Sequence, residues 1–169
     1  MTKDHAYLYL GSVSEARRQN ELALWRASHL ENIACKQAIE EAIRRGFDGM
    51  HLSHDCARGV IEDFGFKRVG WVLAATIQLK PEDGRFSRRN KEWAKTVPNF
   101  NSDSVRRDYA LNTHPAVLDG FIDLVREEQQ RGRAKAGKAQ QPRTSVREKL
   151  RQEPPARKPA SPKKREPER

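Results

Sequence analysis

The stretch Val69-Gly-Trp-Val-Leu-Ala-Ala-Thr-Ile-Gln-Leu79 is apolar at nearly every position. Because it has no polar face, its periodicity does not separate a buried helix from a buried strand. Its length and the helical patterns on either side of it favour a helix. We therefore predict that this segment is a buried helix, and this choice sets the fold class of the whole chain.

A long helical pattern precedes this segment. Ser12 and Ser14 are its candidate N-caps, and it runs from Glu15 to Arg45 as one helix. Gly46 follows two arginines and is predicted to be a left-handed C-terminal cap. Apolar residues at spacings of three and four place one stripe of this helix toward the core. The stripe consists of Cys35, Ala38, Ile39, Ala42 and Ile43.

Three shorter helices complete the predicted fold. Ser53 caps one from Asp55 to Phe64, Ser87 caps one that passes through Trp93, and Thr113 caps one that ends at about Gln130. Residues 98–103 are interpreted as a loop. The predicted fold class is all-α, a single domain over residues 1–130 with about five helices and a short extended N-terminal segment. Its core should contain Ile39, Ile43, Trp71, Val72, Ile77, Leu118 and Phe121, with Trp93 closing it.

The positive charge of the chain is concentrated at its C-terminal end. Residues 131–169, here called the basic tail, contain 14 Lys or Arg and 4 Glu, so the net charge of +10 lies there and residues 1–130 are neutral. The tail has only two large apolar residues and several prolines, and we predict that it is disordered. It either contacts nucleic acid phosphates or is a solubilising extension. The cations predicted to contact phosphate are Arg143, Arg147, Lys149, Arg151, Arg157, Lys158, Lys163, Lys164 and Arg165.

A second group of cations lies on the helix that Ser87 caps. Arg88, Lys91 and Lys95 share one face of that helix by their spacings, and Arg85 lies just before it. We call these four residues the basic ridge and predict that they also contact nucleic acid phosphates, without reading sequence. The alternative is a solvated helix face opposite Trp93.

The sequence contains no recognisable catalytic or metal-binding signature. Asp83, Arg85 and Asn90 cluster around Ser87, where they form either an anion site or an ordinary turn and helix start. The segment from His51 to Cys56 lacks the spacing of a zinc site, and Cys35 and Cys56 are expected to be free thiols. We therefore expect a non-enzymatic protein without cofactor or metal.

Neither a membrane-spanning stretch nor a signal peptide is visible in the chain. A span needs roughly 18 to 20 consecutive apolar residues, and the start Met-Thr-Lys-Asp-His lacks the apolar core of a leader. We expect a cytoplasmic protein that does not bind a membrane.

Several short motifs together resemble a known family. They include Glu31-Asn-Ile-Ala-Cys35, Asp83-Gly-Arg-Phe-Ser87, Asn90-Lys91 and Trp93-Ala94, and the similarity covers about residues 7–128. The chain resembles the domain-of-unknown-function family 3849. This resemblance implies a bacterial setting, in Firmicutes and close to the genes of plasmids and integrative elements. It implies no reaction, because the family has no assigned catalytic residues.

Two functions follow from these observations. The first is a non-enzymatic accessory protein of a mobile genetic element that binds nucleic acid phosphates through the basic tail and the basic ridge. The second is a protein-interaction module that inhibits or modulates a host defence complex. The sequence leaves open the choice between DNA and RNA, the physiological partner and the oligomeric state.

Overall fold

Helices make up all of the regular structure in the part of the chain that the computed structural model describes, residues 4–98 and 102–140. The all-α class is therefore confirmed, but there are seven helices in these residues and not five. The chain divides into two units, Met1–Ala134 and Lys135–Arg169. The helices are α1 (Val13–Arg18), α2 (Leu22–Gly46), α3 (His54–Phe64), α4 (Phe66–Leu79), α5 (Arg88–Thr96), α6 (Asp103–Tyr109) and α7 (Pro115–Gln140).

Helix α4 contains the apolar stretch and lies at the centre of the first unit. Nine of its residues are buried, and it packs against α2, α3, α5 and α6. The predicted core is confirmed except for Trp71, which is not part of the cluster: Ile39, Phe121 and their other predicted partners are buried together, and Trp93 packs on them half-buried. Trp71 is also buried, at 4% exposure. None of the helices in the described residues is both long enough and apolar enough to cross a membrane.

The prediction of one helix from Glu15 to Arg45 is wrong. The chain turns between α1 and α2 at Asn20, whose φ is 58°. The Glu21 N–H donates to the Ala16 carbonyl at 2.8 Å and the Asn20 N–H to the Arg17 carbonyl at 3.3 Å, as in a Schellman end. Asparagine tolerates this left-handed conformation better than most residues, and it therefore ends α1.

Gly46 is the last residue of α2 and not a left-handed cap. Its role is steric, because a Cβ at this position would lie 2.8 Å from the Cβ of Cys56 on α3. Glycine lets the two helices approach this closely. Asp48 and Gly49 form a turn after α2: Asp48 Oδ1 accepts from the N–H groups of Met50 and His51, and Gly49 has a φ of 103°.

Helix α6 was not predicted, and the loop predicted over residues 98–103 ends at the first residue of this helix. It begins after Ser102 with Asp103 in its first turn, where a carboxylate suits the helix dipole. Its last residue, Tyr109, is buried and its hydroxyl is hydrogen-bonded to His29 Nδ1 at 2.7 Å. This hydrogen bond to α2 stabilises α6, which is too short to show a recognisable helical pattern in the sequence.

Both ends of α7 differ from the prediction. His114 and not Thr113 caps the helix: its carbonyl accepts from Leu118 N and its Nδ1 from Ala116 N. The helix continues past Gln130 to Gln140, so residues 131–140 of the predicted disordered tail are helical. Alanine, lysine and arginine, which are frequent in this segment, favour helix. The tail cations from Arg143 to Arg165 lie outside the described residues.

Arg68 connects the N-terminal segment to the helices through hydrogen bonds. Its side chain is buried, and its guanidinium donates to the carbonyls of Ala6, Tyr7 and Ser28 and to Asn32 Oδ1. The segment has no regular secondary structure over residues 4–10. These hydrogen bonds place Leu8 and Leu10 beside α4, where they line the groove described below.

Candidate nucleic-acid interface

The basic ridge lies on and just before α5, as predicted. Ser87 caps this helix, its hydroxyl accepting from Asn90 N at 3.2 Å. Arg88 and Lys95 are exposed and Lys91 is half-buried. The helix presents these cations on one face because Ala94 and Trp93 pack inward.

Carboxylates neutralise part of the basic ridge. Arg85 forms an ion pair with Asp83 at 2.8 Å, and Lys95 forms one with Glu92 at 2.9 Å. The bonds from Arg85 hold the pKa of Asp83 down to about 2, and the bond from Lys95 lowers the pKa of Glu92. Arg88 and Lys91 are consequently the ridge cations with no ion pair in the described structure.

The cluster around Ser87 is structural. Asp83 Oδ1 accepts from the Arg85 N–H at 3.0 Å and so closes a turn. Asn90 is buried, and its amide donates to Asp119 Oδ1 at 2.9 Å and Asp123 Oδ1 at 3.0 Å. Asn90 therefore joins α5 to α7, whereas Asp83 and Arg85 bind each other within the turn.

A groove of about 500 Å³ opens between the N-terminal segment, α4, α5 and α7. We call it the tryptophan groove, because Trp71 and Trp93 both line it. Trp93 lies across Gly70, where a Cβ would be 3.5 Å from its ring. The other lining residues are Leu8, Leu10, Phe66, Lys67, Thr96, Val97, Pro98, Val125, Arg126, Gln129, Gln130 and Arg133.

Every charged side chain that lines the tryptophan groove is a cation. These are Lys67 of α4 and Arg126 and Arg133 of α7, and no carboxylate is among the lining residues. Within the described residues none of the three forms an ion pair. Arg126 is oriented by a hydrogen bond of 2.9 Å from its Nη1 to Asn90 Oδ1. The groove therefore combines an apolar, aromatic interior with a rim that attracts anions.

Sequence reasoning missed this groove. Trp71 and Trp93 were predicted only as core residues, and Lys67 and Arg126 were not singled out. The groove residues come from four separate segments, so no local motif marks them. Arg133 was assigned to the disordered tail, whereas it lies on α7 and lines the groove.

The cysteines and histidines form no metal site in the described residues, where no group of three or more His, Cys, Asp or Glu is arranged to hold an ion. His51 and His54 are exposed, whereas Cys56 is half-buried against the core. Cys35 is buried, and burial raises the pKa of its thiol to about 12. Since the thiolate is the reactive form, Cys35 is an inert core residue.

Comparison with known proteins agrees with the resemblance seen in the sequence. Searches of curated proteins and of solved structures find no match to this chain. The matched family model covers the N-terminal segment and the helices up to the middle of α7, including most of the tryptophan groove. Because residues 8–130 match its model, the chain belongs to the family described as Protein of unknown function (DUF3849).

Proposed function

We propose that this protein is a non-enzymatic, cytoplasmic accessory protein of a mobile genetic element that binds nucleic acid through its phosphates. The observation that carries the proposal is the tryptophan groove, whose charged residues, in the part of the chain that the structure describes, are three cations without ion pairs. Residues 1–130 together have no net charge. A groove lined by cations and by no carboxylate of the described residues therefore differs from the average of this body and favours an anionic partner.

The basic tail supports the same proposal. Residues 141–169 carry ten Lys or Arg against four Glu. Such a segment neutralises phosphates without reading the base sequence. We assign most of the affinity to this segment, and smaller shares to the cations of the tryptophan groove and to Arg88 and Lys91 of the basic ridge.

The proposal is tested by fluorescence anisotropy with a labelled duplex and a labelled single strand. We compare the full chain, a chain ending at Gln140 and the double variant Arg88→Gln/Lys91→Gln. Shortening the chain should weaken binding to all sequences alike, and the double variant should weaken it less. Arg44→Gln/Arg45→Gln is the matched control, because these exposed cations pair with Glu41 on α2. Failure of the full chain to bind either ligand at low salt would refute the proposal.

One observation favours the alternative, a protein-interaction module that modulates a host defence complex. Met50 is 82% exposed and lines a second groove, whose lining among the described residues includes Phe47, Leu52, Val117 and Leu124 and no Lys, Arg, Asp or Glu. An exposed apolar surface of this kind is typical of protein contacts. Under this alternative the full chain binds no nucleic acid, and Met50→Lys abolishes co-purification of a partner from the host.

A further inference from the structure

We propose that the tryptophan groove holds an unpaired base of a single-stranded nucleic acid, with the neighbouring phosphates on Lys67, Arg126 and Arg133. This inference rests on the proposed function and deepens it, because it names the form of nucleic acid that the folded body selects. Phosphate contacts alone give no such selection, since duplex and single strand both carry phosphates.

The interior of the groove fits a base. Its volume of about 500 Å³ is within the range of small-ligand sites, and the half-buried Phe66 and Trp93 and the buried Trp71 line it. Aromatic side chains bind bases of single strands by stacking, and every base offers a face for this contact. A base that is paired and stacked in a duplex cannot enter such a groove without leaving its helix.

The rim of the groove fits the backbone on either side of that base. Lys67 and Arg133 are exposed, and Arg126 is held in place by Asn90 with guanidinium donors left for a phosphate oxygen. Gln129, Gln130 and Thr96 add hydrogen-bonding groups at the same opening. An acidic peptide would satisfy the cations equally well, but the basic tail of the same chain favours a polymer of phosphates.

The basic tail cannot supply this selection by itself. Residues 131–169 contain no Phe, Tyr or Trp, so the tail has no aromatic surface for a base. Residues 141–169 of the tail and the tryptophan groove therefore have separate roles: the first give affinity for any nucleic acid, and the second gives preference for an unpaired strand. These two roles can be removed independently by substitution.

The test uses the full chain, a labelled oligothymidylate of about twelve nucleotides and a duplex of the same length. Trp93→Leu keeps an apolar side chain but removes the aromatic face, and it should weaken binding of the single strand by about tenfold. Binding of the duplex should not change. Trp93→Phe should restore most of the loss, and oligothymidylate should quench the tryptophan emission of the wild type.

Two further variants keep the proposal falsifiable if Trp93→Leu does not fold. Lys67→Gln and Arg133→Gln replace exposed groove cations and should each weaken single-strand binding. Arg89→Gln, an exposed residue of α5 outside the groove, is the matched control. Equal affinity of wild type and folded Trp93→Leu for oligothymidylate, no quenching of the wild type by oligothymidylate, or rim variants that behave like Arg89→Gln would each overturn the proposal.

The outcomes also separate this proposal from the one on which it rests. Salt-sensitive binding of duplex and single strand with equal affinity, unaltered by the groove variants, leaves nucleic-acid binding standing and refutes the base site. No binding of either ligand refutes both. Displacement of oligothymidylate by polyglutamate of the same length and at the same concentration would assign the groove to an acidic peptide instead.

Discussion

Asn90 joins two helices through its buried side-chain amide. It donates to the carboxylates of Asp119 and Asp123 and accepts from Arg126, so one neutral residue binds three ionisable side chains of α7. Asn90→Ala leaves these groups without their partner, and we expect a loss of about 2–3 kcal/mol in the free energy of unfolding, measured by urea denaturation. Arg89→Ala, the exposed neighbour, should change stability by no more than about 0.5 kcal/mol. A loss as small as the control's would show that the Asn90 contacts are not stabilising.

Asp83 gives the protein a pH-dependent element of stability. Its folded pKa of about 2 lies below the ordinary value of 3.8, chiefly because of its hydrogen bond with the Arg85 side chain. The unfolded chain therefore takes up this proton first as the pH falls, so the stabilisation is present above about pH 4 and disappears as the pH approaches 2. Wild type should be more stable than Asp83→Asn at pH 6, and the difference should close toward pH 2.

Urea denaturation at several pH values measures this difference. Glu82→Gln, an exposed neighbour, is the control and should follow the wild type. A gap between wild type and Asp83→Asn that stays constant from pH 6 to pH 2 would contradict the assignment.

At the residue scale, the sequence predicted cap and turn residues better than it predicted which distant side chains are hydrogen-bonded to each other. Ser87 was identified as a cap and Asp83 as a turn residue, because both depend on chemistry a few residues away. The bonds of Asn90 to α7 span about thirty residues, and nothing in the local pattern indicates them. An anion site and a structural turn were indistinguishable until these partners were known.

At the scale of the helices, the contact between α2 and α3 depends on one missing side chain. A Cβ on Gly46 would lie 2.8 Å from the Cys56 Cβ, so Gly46→Ala forces the helices apart and should cost about 1–3 kcal/mol. Gly59 of α3 is the matched control: a Cβ there meets nothing within 4 Å, and Gly59→Ala should stabilise the helix by about 0.5–1 kcal/mol. Thermal denaturation of both variants measures the contrast, and equal melting temperatures would contradict it.

Helices with a strong pattern or a clear cap were predicted, and those defined by tertiary contacts were not. The apolar stretch in α4 was assigned correctly, whereas the break at Asn20 interrupts a pattern that is helical on both sides. Helix α6 has seven residues and depends on the contact of Tyr109 with His29. Short helices are marginal without such packing, so local sequence does not reveal them.

At the scale of the whole molecule, the distribution of charge can be read from the sequence, whereas the tryptophan groove is seen only in the folded structure. The concentration of charge in residues 131–169 is visible in the sequence, and it predicts an anionic partner. The tryptophan groove was not predictable, because its cations and rings come together only when the N-terminal segment, α4, α5 and α7 pack. Composition therefore supports the proposed class of partner, and the fold adds the groove in which we propose that this partner is held.

The dependence of binding on salt tests the central claim most directly, that the chain binds nucleic acid through its phosphates. The dissociation constant of the full chain for a duplex is measured by anisotropy from low to physiological salt. If five cations each neutralise a phosphate, the logarithm of the binding constant should fall against the logarithm of salt with a slope of about 4.5. A slope below about 1, or no binding at the lowest salt, would contradict the account.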